Sequence, residues 1–283
     1  MTRYEKAMRL QDADFKQLIG VKKETYSAMI AQLQIAYAEK HKRRGRHTKL
    51  TLQDQLFMAL KYWRQYVTQK ELAFEFEVGE ATTHDTIVWV EDTLIKSRKF
   101  ILPGKKALLE NNEIEIVVVD VMESPVERPK KKQRQWYSGK KKRHTIKTQL
   151  IVNRQTKDII CIAHAEGKTH DFKLYEESIG YAISNDKKVQ GDSGYQGILR
   201  LHKNSETPKK KPRKGTLTAE EKSENRRISK ERIIIENINA KIKVFKIVAN
   251  KYRNRRTRFK LRMSLLCGLD SVYTKFDILK SMK

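Results

Sequence analysis

The chain has few cysteines, the residues that form the disulfides of small secreted proteins and the zinc sites of metal-stabilised folds. Its 283 residues include two cysteines, Cys161 and Cys267, which provide neither a disulfide framework nor the spacing of zinc ligands. All five prolines stand at or beyond Pro103, so no proline interrupts a helix in the first hundred residues. These scarcities fit a reducing compartment and predict a helical first part.

Long apolar runs are also missing from the sequence. No stretch reaches the roughly 20 apolar residues that a membrane-spanning helix needs, and the first residues, Met1 to Lys6, lack the apolar segment of a signal peptide. We therefore expect a soluble, cytoplasmic protein that has no membrane partner.

Acidic residues are scarce compared with basic ones. Lys and Arg number 61 against 34 Asp and Glu, which gives a formal net charge of +27. Folding does not need this excess, which increases self-repulsion, so the sequence indicates a polyanionic partner, most commonly nucleic acid. The length leaves room for two domains or one large one.

Residues 1–103 are predicted to form a helical domain with a helix-turn-helix near residues 51–97. Thr51 and the capping box of Thr68 with Glu71 mark helix starts. Gly79 marks a turn, and residues 82–85 resemble a further capping box. A short helix, a glycine turn and a longer helix are the outline of a helix-turn-helix.

In such a motif the first residues of the second helix meet base edges, here Thr83, His84 and also Thr86. A small helical bundle that serves dimerisation or support is the alternative interpretation. The overall charge of the chain favours DNA binding.

The middle of the chain is predicted to be mainly strands. After a linker at residues 104–112, residues 113–120 form a strand that ends at Asp120, and further strands cover residues 145–153 and 158–163. Three strands in series predict an antiparallel meander. A later short strand is followed by Asp192 in a glycine-rich turn.

Basic loops are predicted near residues 128–147 and 203–218. The first holds ten Lys or Arg and no acid, including Lys140, Lys141 and Lys142, with two aromatic residues between its clusters. Another basic stretch, residues 251–262, contains Arg255 and Arg256. Such segments neutralise backbone phosphates, although a solvated charged loop is the alternative interpretation.

Three acids stand in this basic part of the chain: Asp120, Asp192 and Glu236. Glu236 lies on a predicted long helix between Arg232 and Lys243, all within about 40° on one face. A fourth acid, Asp171 beside His170, is interpreted as a helix start, with a catalytic role of His170 as the alternative interpretation. Three converging carboxylates repel one another unless a cation joins them, and Mg²⁺ takes oxygen ligands together with phosphates. Convergence of the three is a hypothesis at this stage.

Several blocks resemble the DDE transposases of the insertion-sequence-five superfamily over nearly the whole chain. They are Asp120 with residues 123–129, then residues 137–142, 144–147 and 167–172, then Asp192 with residues 193–197, and finally Arg232, Glu236 and Lys243. Positions 121–122, Ser229 and Asn237 depart from the family's usual residues, and none of these departures removes a metal ligand.

The resemblance implies an α+β protein, in which an all-α helix-turn-helix domain precedes a ribonuclease-H-like α/β catalytic domain at residues 113–283. It implies that Asp120, Asp192 and Glu236 bind Mg²⁺ or Mn²⁺, with two ions expected. It also implies that Arg232 and Lys243 handle DNA ends or support the triad.

The leading hypothesis is metal-dependent cleavage at the ends of an insertion sequence, followed by transfer of the 3′-hydroxyl into target DNA. The expected partners are double-stranded DNA, as terminal inverted repeats and target, and a second copy of the chain in a nucleoid-associated homodimer. The alternatives are an inactive or repurposed DNA-binding relative and a basic RNA-binding protein. The last would not explain the positions of the three acids.

Overall fold

The computed structural model describes residues 2–42, 48–212, 215–254 and 256–269, which form two compact units. The first, here called the helical unit, contains the residues up to 101 together with residues 243–250 and 258–269. The second, the sheet unit, contains residues 102–242 and 251–257. The predicted division at residues 104–112 did not assign the two late segments to the helical unit.

Helices account for the regular structure of the first hundred residues. They are α1 (Arg3–Met8), α2 (Asp12–Ile19), α3 (Lys23–Lys40), α4 (Leu52–Gln65), α5 (Gln69–Glu75) and α6 (Glu80–Lys96). In the described part of the chain, no helix combines the length and the apolar character needed to cross a membrane.

Local capping explains where two of these helices begin. The side chain of Thr51 accepts a hydrogen bond from the backbone of Asp54 at the start of α4, and Thr68 and Glu71 form the predicted capping box of α5. The predicted box at residues 82–85 is wrong, because α6 begins at Glu80 with Gly79 as its N-cap. Residues 82–85 therefore lie inside the helix.

The sheet unit combines six strands and five α-helices in its described part. The strands are β1 (Ile116–Pro125), β2 (Tyr137–Ser138), β3 (Arg143–Asn153), β4 (Ile159–Glu166), β5 (Lys188–Gln190) and β6 (Ser205–Glu206). The helices are α7 (Lys106–Glu110), α8 (Gln133–Trp136), α9 (Asp171–Ser178), α10 (Ile198–Leu201) and α11 (Ala219–Lys243).

β1 is the strand around which the sheet is arranged. It pairs antiparallel with β3, which pairs antiparallel with β4 and thereby completes the predicted meander. On its other side β1 pairs parallel with β5, and β5 pairs parallel with β6. A helical unit followed by a unit with a mixed sheet and helices confirms the expected α+β class, and the order of strands agrees with the ribonuclease-H-like fold that the resemblance implied.

Three boundaries differ from the sequence-based expectations. β1 continues through Asp120 to Pro125, so that this acid lies within the strand rather than at its end. The predicted linker contains α7, whose Leu108 is buried in the core of the sheet unit. The sequence predicts one long helix from near Ala219 to Asn250, whereas α11 ends at Lys243 and a separate short helix, α12 (Lys246–Ala249), follows it. These three boundaries depend on tertiary packing, which local sequence patterns do not reveal.

A buried carboxylate of α6 holds the second late segment, residues 258–269, within the helical unit. Glu91 of α6 is fully buried and accepts a hydrogen bond from Trp63 Nε1 at 3.0 Å. Arg258 and Arg262 each donate to it from Nε at 2.6 Å. Arg262 belongs to a helix that begins at residue 259. Two guanidinium groups thus neutralise one buried acid, which fixes the late segment to α6.

Candidate active site

Asp120 faces the helix α11 rather than the apolar core of the sheet unit. Val117 and Val119 belong to that core, and alternate residues of a strand point to opposite faces. Asp120 therefore points away from the core, and its carboxylate meets side chains of α11. The strand tolerates an acid at this position because polar partners cover it.

Asp192 lies beside Asp120 because of the parallel pairing of β5 with β1. Val118 is the register partner of Gln190, and Asp192 follows two residues later. Its Oδ1 accepts a hydrogen bond from Gly194 N at 2.8 Å at the start of a 3₁₀ turn, residues 193–195. A Cβ at Gly194 would lie 2.9 Å from that oxygen, so the tight turn requires glycine at this position.

Two residues of α11 contact the Asp120 carboxylate. Asn239 Nδ2 donates to Asp120 Oδ2 at 2.9 Å, and Arg232 Nη2 lies 3.6 Å from Oδ1. They are seven residues apart, which is two helical turns, and both are buried. The prediction that Arg232 supports the acids fits this contact, although Arg232 reaches Asp120 and not Glu236.

The local electrostatics disfavour ionisation of Asp120. Burial raises the pKa of its carboxyl from 3.8 to about 6, Arg232 opposes the shift, and Asp192 and Asp171 add to it. The contributions of Asp192 and Asp171 indicate that these acids lie near Asp120, and the single Arg232 guanidinium does not offset the cost of burial. A cation would relieve this imbalance.

Asp171 is a neighbour of the site that the sequence interpretation did not include. It is the first residue of α9, as expected for a helix start, but its Oδ1 also accepts a hydrogen bond from Lys147 Nζ at 2.7 Å. Its Oδ2 would lie 3.4 Å from a Cβ at Gly194. The Thr-His-Asp sequence at residues 169–171 was the available indication. The partner on β3 was not visible in the sequence.

Glu236 has a different environment from the two aspartates. Its side chain is exposed and lines a shallow cleft with Ser229, Lys230 and Ile233. Within the described ranges, no three His, Cys, Asp or Glu side chains lie close enough to hold one metal ion. The structure therefore brings Asp120 and Asp192 together, and the role of Glu236 as the third ligand stays a prediction.

The paired acids suit a hard divalent cation. Carboxylate oxygens are the ligands that Mg²⁺ and Mn²⁺ prefer. The pKa of Asp120 is raised mainly by burial and further by Asp192 and Asp171, and a bound cation would favour its ionised form. Asp120 and Asp192 fit as two of its ligands.

Two of the three residues predicted to contact bases, Thr83 and Thr86, are buried. Thr83 is 0% exposed, and its hydroxyl donates to the carbonyl of Gly79 at 3.2 Å. It cannot reach a base edge, because the register of α6 turns it towards the other helices. Thr86 is also buried, whereas His84 is exposed, with Nδ1 lying 3.3 Å from Gln69 Nε2. The neighbouring exposed side chains on α6 are those of Glu80, Ala81, Thr82 and Asp85.

The predicted phosphate-binding cations lie on the surface where the structure describes them. Lys140, Lys141 and Lys142 are exposed between β2 and β3. The Arg256 guanidinium lies 4.3 Å from the centre of the Trp136 ring, a cation–π contact within the sheet unit. Lys243 is exposed at the end of α11. Arg255 lies outside the described residues.

Comparisons with known proteins match both parts of the chain. Residues 119–270 match the family described as "DDE superfamily endonuclease", and residues 48–100 match the "Helix-turn-helix of DDE superfamily endonuclease". The chain is also 44% identical over 266 residues to the "Probable transposase for insertion sequence element IS702" of Microchaete diplosiphon. This alignment covers 94% of the chain and 96% of that relative.

Proposed function

Because the chain belongs to the DDE superfamily of transposase endonucleases, we propose that it cuts DNA at the ends of an insertion sequence and joins the freed 3′-hydroxyl to target DNA. The observation that carries this proposal is the pair of Asp120, on β1 next to α11, and Asp192, which follows the adjacent strand β5 by two residues. Both steps are phosphoryl transfers, for which an enzyme supplies positioning and charge stabilisation.

Asp120, Asp192 and Glu236 would hold the divalent ions, Mg²⁺ or Mn²⁺, with two ions expected. Bound there, the ions would supply Lewis-acid chemistry that activates the attacking oxygen and stabilises the leaving one. Glu236 lies on α11 between Arg232 and Asn239, which both contact Asp120. Its backbone is thus within one helical turn of the site, and its side chain is free of the buried contacts that would hold it elsewhere.

Other residues of the chain would bind the DNA itself. Exposed Lys140, Lys141 and Lys142 carry charge for backbone phosphates, and Lys243 and Arg256 add further cations. In the helical unit, the exposed face of α6 with His84 would recognise the terminal inverted repeats.

Two ends must be held together for transposition, so we also propose a homodimer on paired ends. Sedimentation of the DNA complex would test this stoichiometry, and one chain per paired complex would contradict it.

Cleavage of DNA that carries the element's ends, in Mg²⁺ or Mn²⁺, tests the proposed activity. Asp192→Ala removes a proposed ligand and should abolish cleavage while DNA binding persists. Asp186→Ala is the matched control, because this acid is exposed in the same unit, outside the pair. Wild-type activity in Asp192→Ala would contradict the assignment. Tight, salt-sensitive binding without cleavage by the wild type would instead indicate a non-enzymatic relative.

The assignment of Glu236 needs its own experiment. Glu236→Gln keeps the size of the side chain and removes its charge, so cleavage should be lost with folding and DNA affinity unchanged. Glu220→Gln, at the exposed start of the same helix, is the control. Loss of a mere surface acid would change activity little, and normal cleavage by Glu236→Gln would exclude this residue as a ligand.

A further inference from the structure

Asn239 stands out on the buried face of α11. Its neighbours on that face include Ile235, Ile238 and Ile242, all almost fully buried in the sheet unit. Asn239 is itself only 8% exposed. An apolar residue would satisfy packing at such a position, and a buried amide is costly unless its polar atoms are paired.

Only half of the Asn239 amide is paired. Nδ2 donates to Asp120 Oδ2 at 2.9 Å, whereas Oδ1 is buried and has no hydrogen-bond partner among the described residues. An ionised carboxylate only accepts hydrogen bonds, so the amide must turn its NH₂ group towards Asp120. The unpaired Oδ1 is the consequence of that orientation, which indicates that the contact with Asp120 determines the placement of the side chain.

The contact complements that of Arg232 on the same helix. Arg232 Nη2 lies near Oδ1 of Asp120, and Asn239 holds Oδ2. Each carboxylate oxygen therefore has one partner from α11, two turns apart, so rotation of the carboxylate group is restricted. Hydrogen-bonded partners that orient a metal-binding carboxylate typically change metal affinity by about 10–100-fold.

We infer that Asn239 is a positioning residue for the divalent-ion site: its Nδ2 fixes the Asp120 carboxylate in the orientation that binds the ion. This inference rests on the proposed function of Asp120 and Asp192. Asn239 acts through Asp120 and needs no contact with DNA. The competing interpretation is a purely structural link between α11 and β1, which would affect folding and leave ion affinity alone.

Titration of the full chain with Mn²⁺ in the absence of DNA separates the two interpretations, with the free Mn²⁺ measured by its electron paramagnetic resonance signal. Asn239→Leu should weaken binding by about tenfold or more. Asn237→Leu, at an exposed asparagine of the same helix, should bind Mn²⁺ as the wild type does. If Asn239→Leu does not fold, Asn239→Ala provides the same loss of the donor with less bulk.

The outcomes distinguish the positioning role of Asn239 from the proposed function of Asp120 and Asp192. Wild-type affinity in a folded Asn239→Leu or Asn239→Ala protein, even one of lower thermal stability, would overturn the positioning role and leave the function standing. Mn²⁺ binding that Asp120→Asn does not reduce would overturn both. A tenfold loss in the Asn239 variants, with unchanged affinity in Asn237→Leu, supports the inference.

Discussion

Glu91 in the helical unit and Asp120 in the sheet unit are both buried carboxylates, but their surroundings differ in charge. Glu91 receives hydrogen bonds from two guanidinium groups and an indole N–H. Asp120 receives one from a neutral amide, has a single Arg232 guanidinium at 3.6 Å, and lies close to further acids. The charge of Glu91 is neutralised by its two guanidinium partners, whereas Asp120 has only one such partner and at a longer distance.

Under the proposed function, this difference separates a structural acid, Glu91, from a metal-binding one, Asp120. A buried acid with two cations stabilises an interface, because it has no remaining need for positive charge. A buried acid with a shortage of positive charge is costly to the fold and is therefore suited to binding a cation. Surroundings, and not burial, thus distinguish the two roles, and each of the following changes should affect only one of them.

Asp120→Asn should have the largest effect on function and none on folding. Cleavage of end-containing DNA should fall by roughly 10³-fold or more, since the proposed ion would contribute several kcal/mol to the reaction and each 1.36 kcal/mol is a factor of ten. The free energy of unfolding, measured with urea, should stay the same or increase, because a repelled charge is removed. Loss of folding would show that Asp120 has a structural role like that of Glu91.

Glu91→Ala should reduce the stability of the fold and not act on the proposed metal site. It leaves the buried Arg262 and the partly buried Arg258 without their shared acid, which costs roughly 3–4 kcal/mol in the free energy of unfolding. Urea denaturation followed by tryptophan fluorescence would measure it, since Trp63 donates to Glu91. A loss below about 1 kcal/mol would mean that water compensates both arginines.

The pH dependence of stability should reveal Asp120 when divalent ions are removed with a chelator. The native state holds the proton of Asp120 up to about pH 6, whereas the ordinary pKa is 3.8. Between these values the native state binds more protons than the unfolded one, so the stability contributed by this group falls as pH rises. Relative to Asp120→Asn, the wild type should lose roughly 2 kcal/mol between pH 4 and pH 6. A constant difference between the two proteins would contradict the raised pKa.

Asp92→Asn should have the smallest effect. Asp92 accepts a hydrogen bond from Arg258 Nη2 at 2.6 Å, but its side chain is 40% exposed. Exposed pairs contribute at most about 1 kcal/mol, so the change in the free energy of unfolding should be well below that of Glu91→Ala. An equal loss in both variants would show that exposure does not separate these two acids.

Local sequence patterns predicted the features that depend on neighbouring residues. The capping box of Thr68 with Glu71 and the strand meander need only short stretches of chain, and both are present. Thr83 was misplaced because the N-cap of α6 is Gly79, three residues before Thr82, the N-cap of the predicted box. Thr83 is therefore the fourth residue of the helix and not the first, and its side chain is buried.

Local sequence patterns did not predict the features that depend on contacts between distant residues. Asp120 and Asp192 were predicted as acids at the ends of strands, their role as metal ligands came from a resemblance, and their pairing follows from the order of strands in the sheet. Asn239 resembles any surface residue of a polar helix until its contact with Asp120, 119 residues earlier, is known. Arg258 and Arg262 looked like part of a DNA-binding basic stretch, whereas they neutralise Glu91.

The position of those two arginines also sets an order of events during synthesis. They follow Glu91 by 167 and 171 residues, so a ribosome that adds about 5–20 residues per second delivers them roughly 10–30 seconds later. Until then α6 carries a carboxylate whose cationic partners do not yet exist. A nascent chain interrupted after the helix-turn-helix consequently lacks the means to complete its helical unit, and a full-length product is required before that unit reaches its final stability.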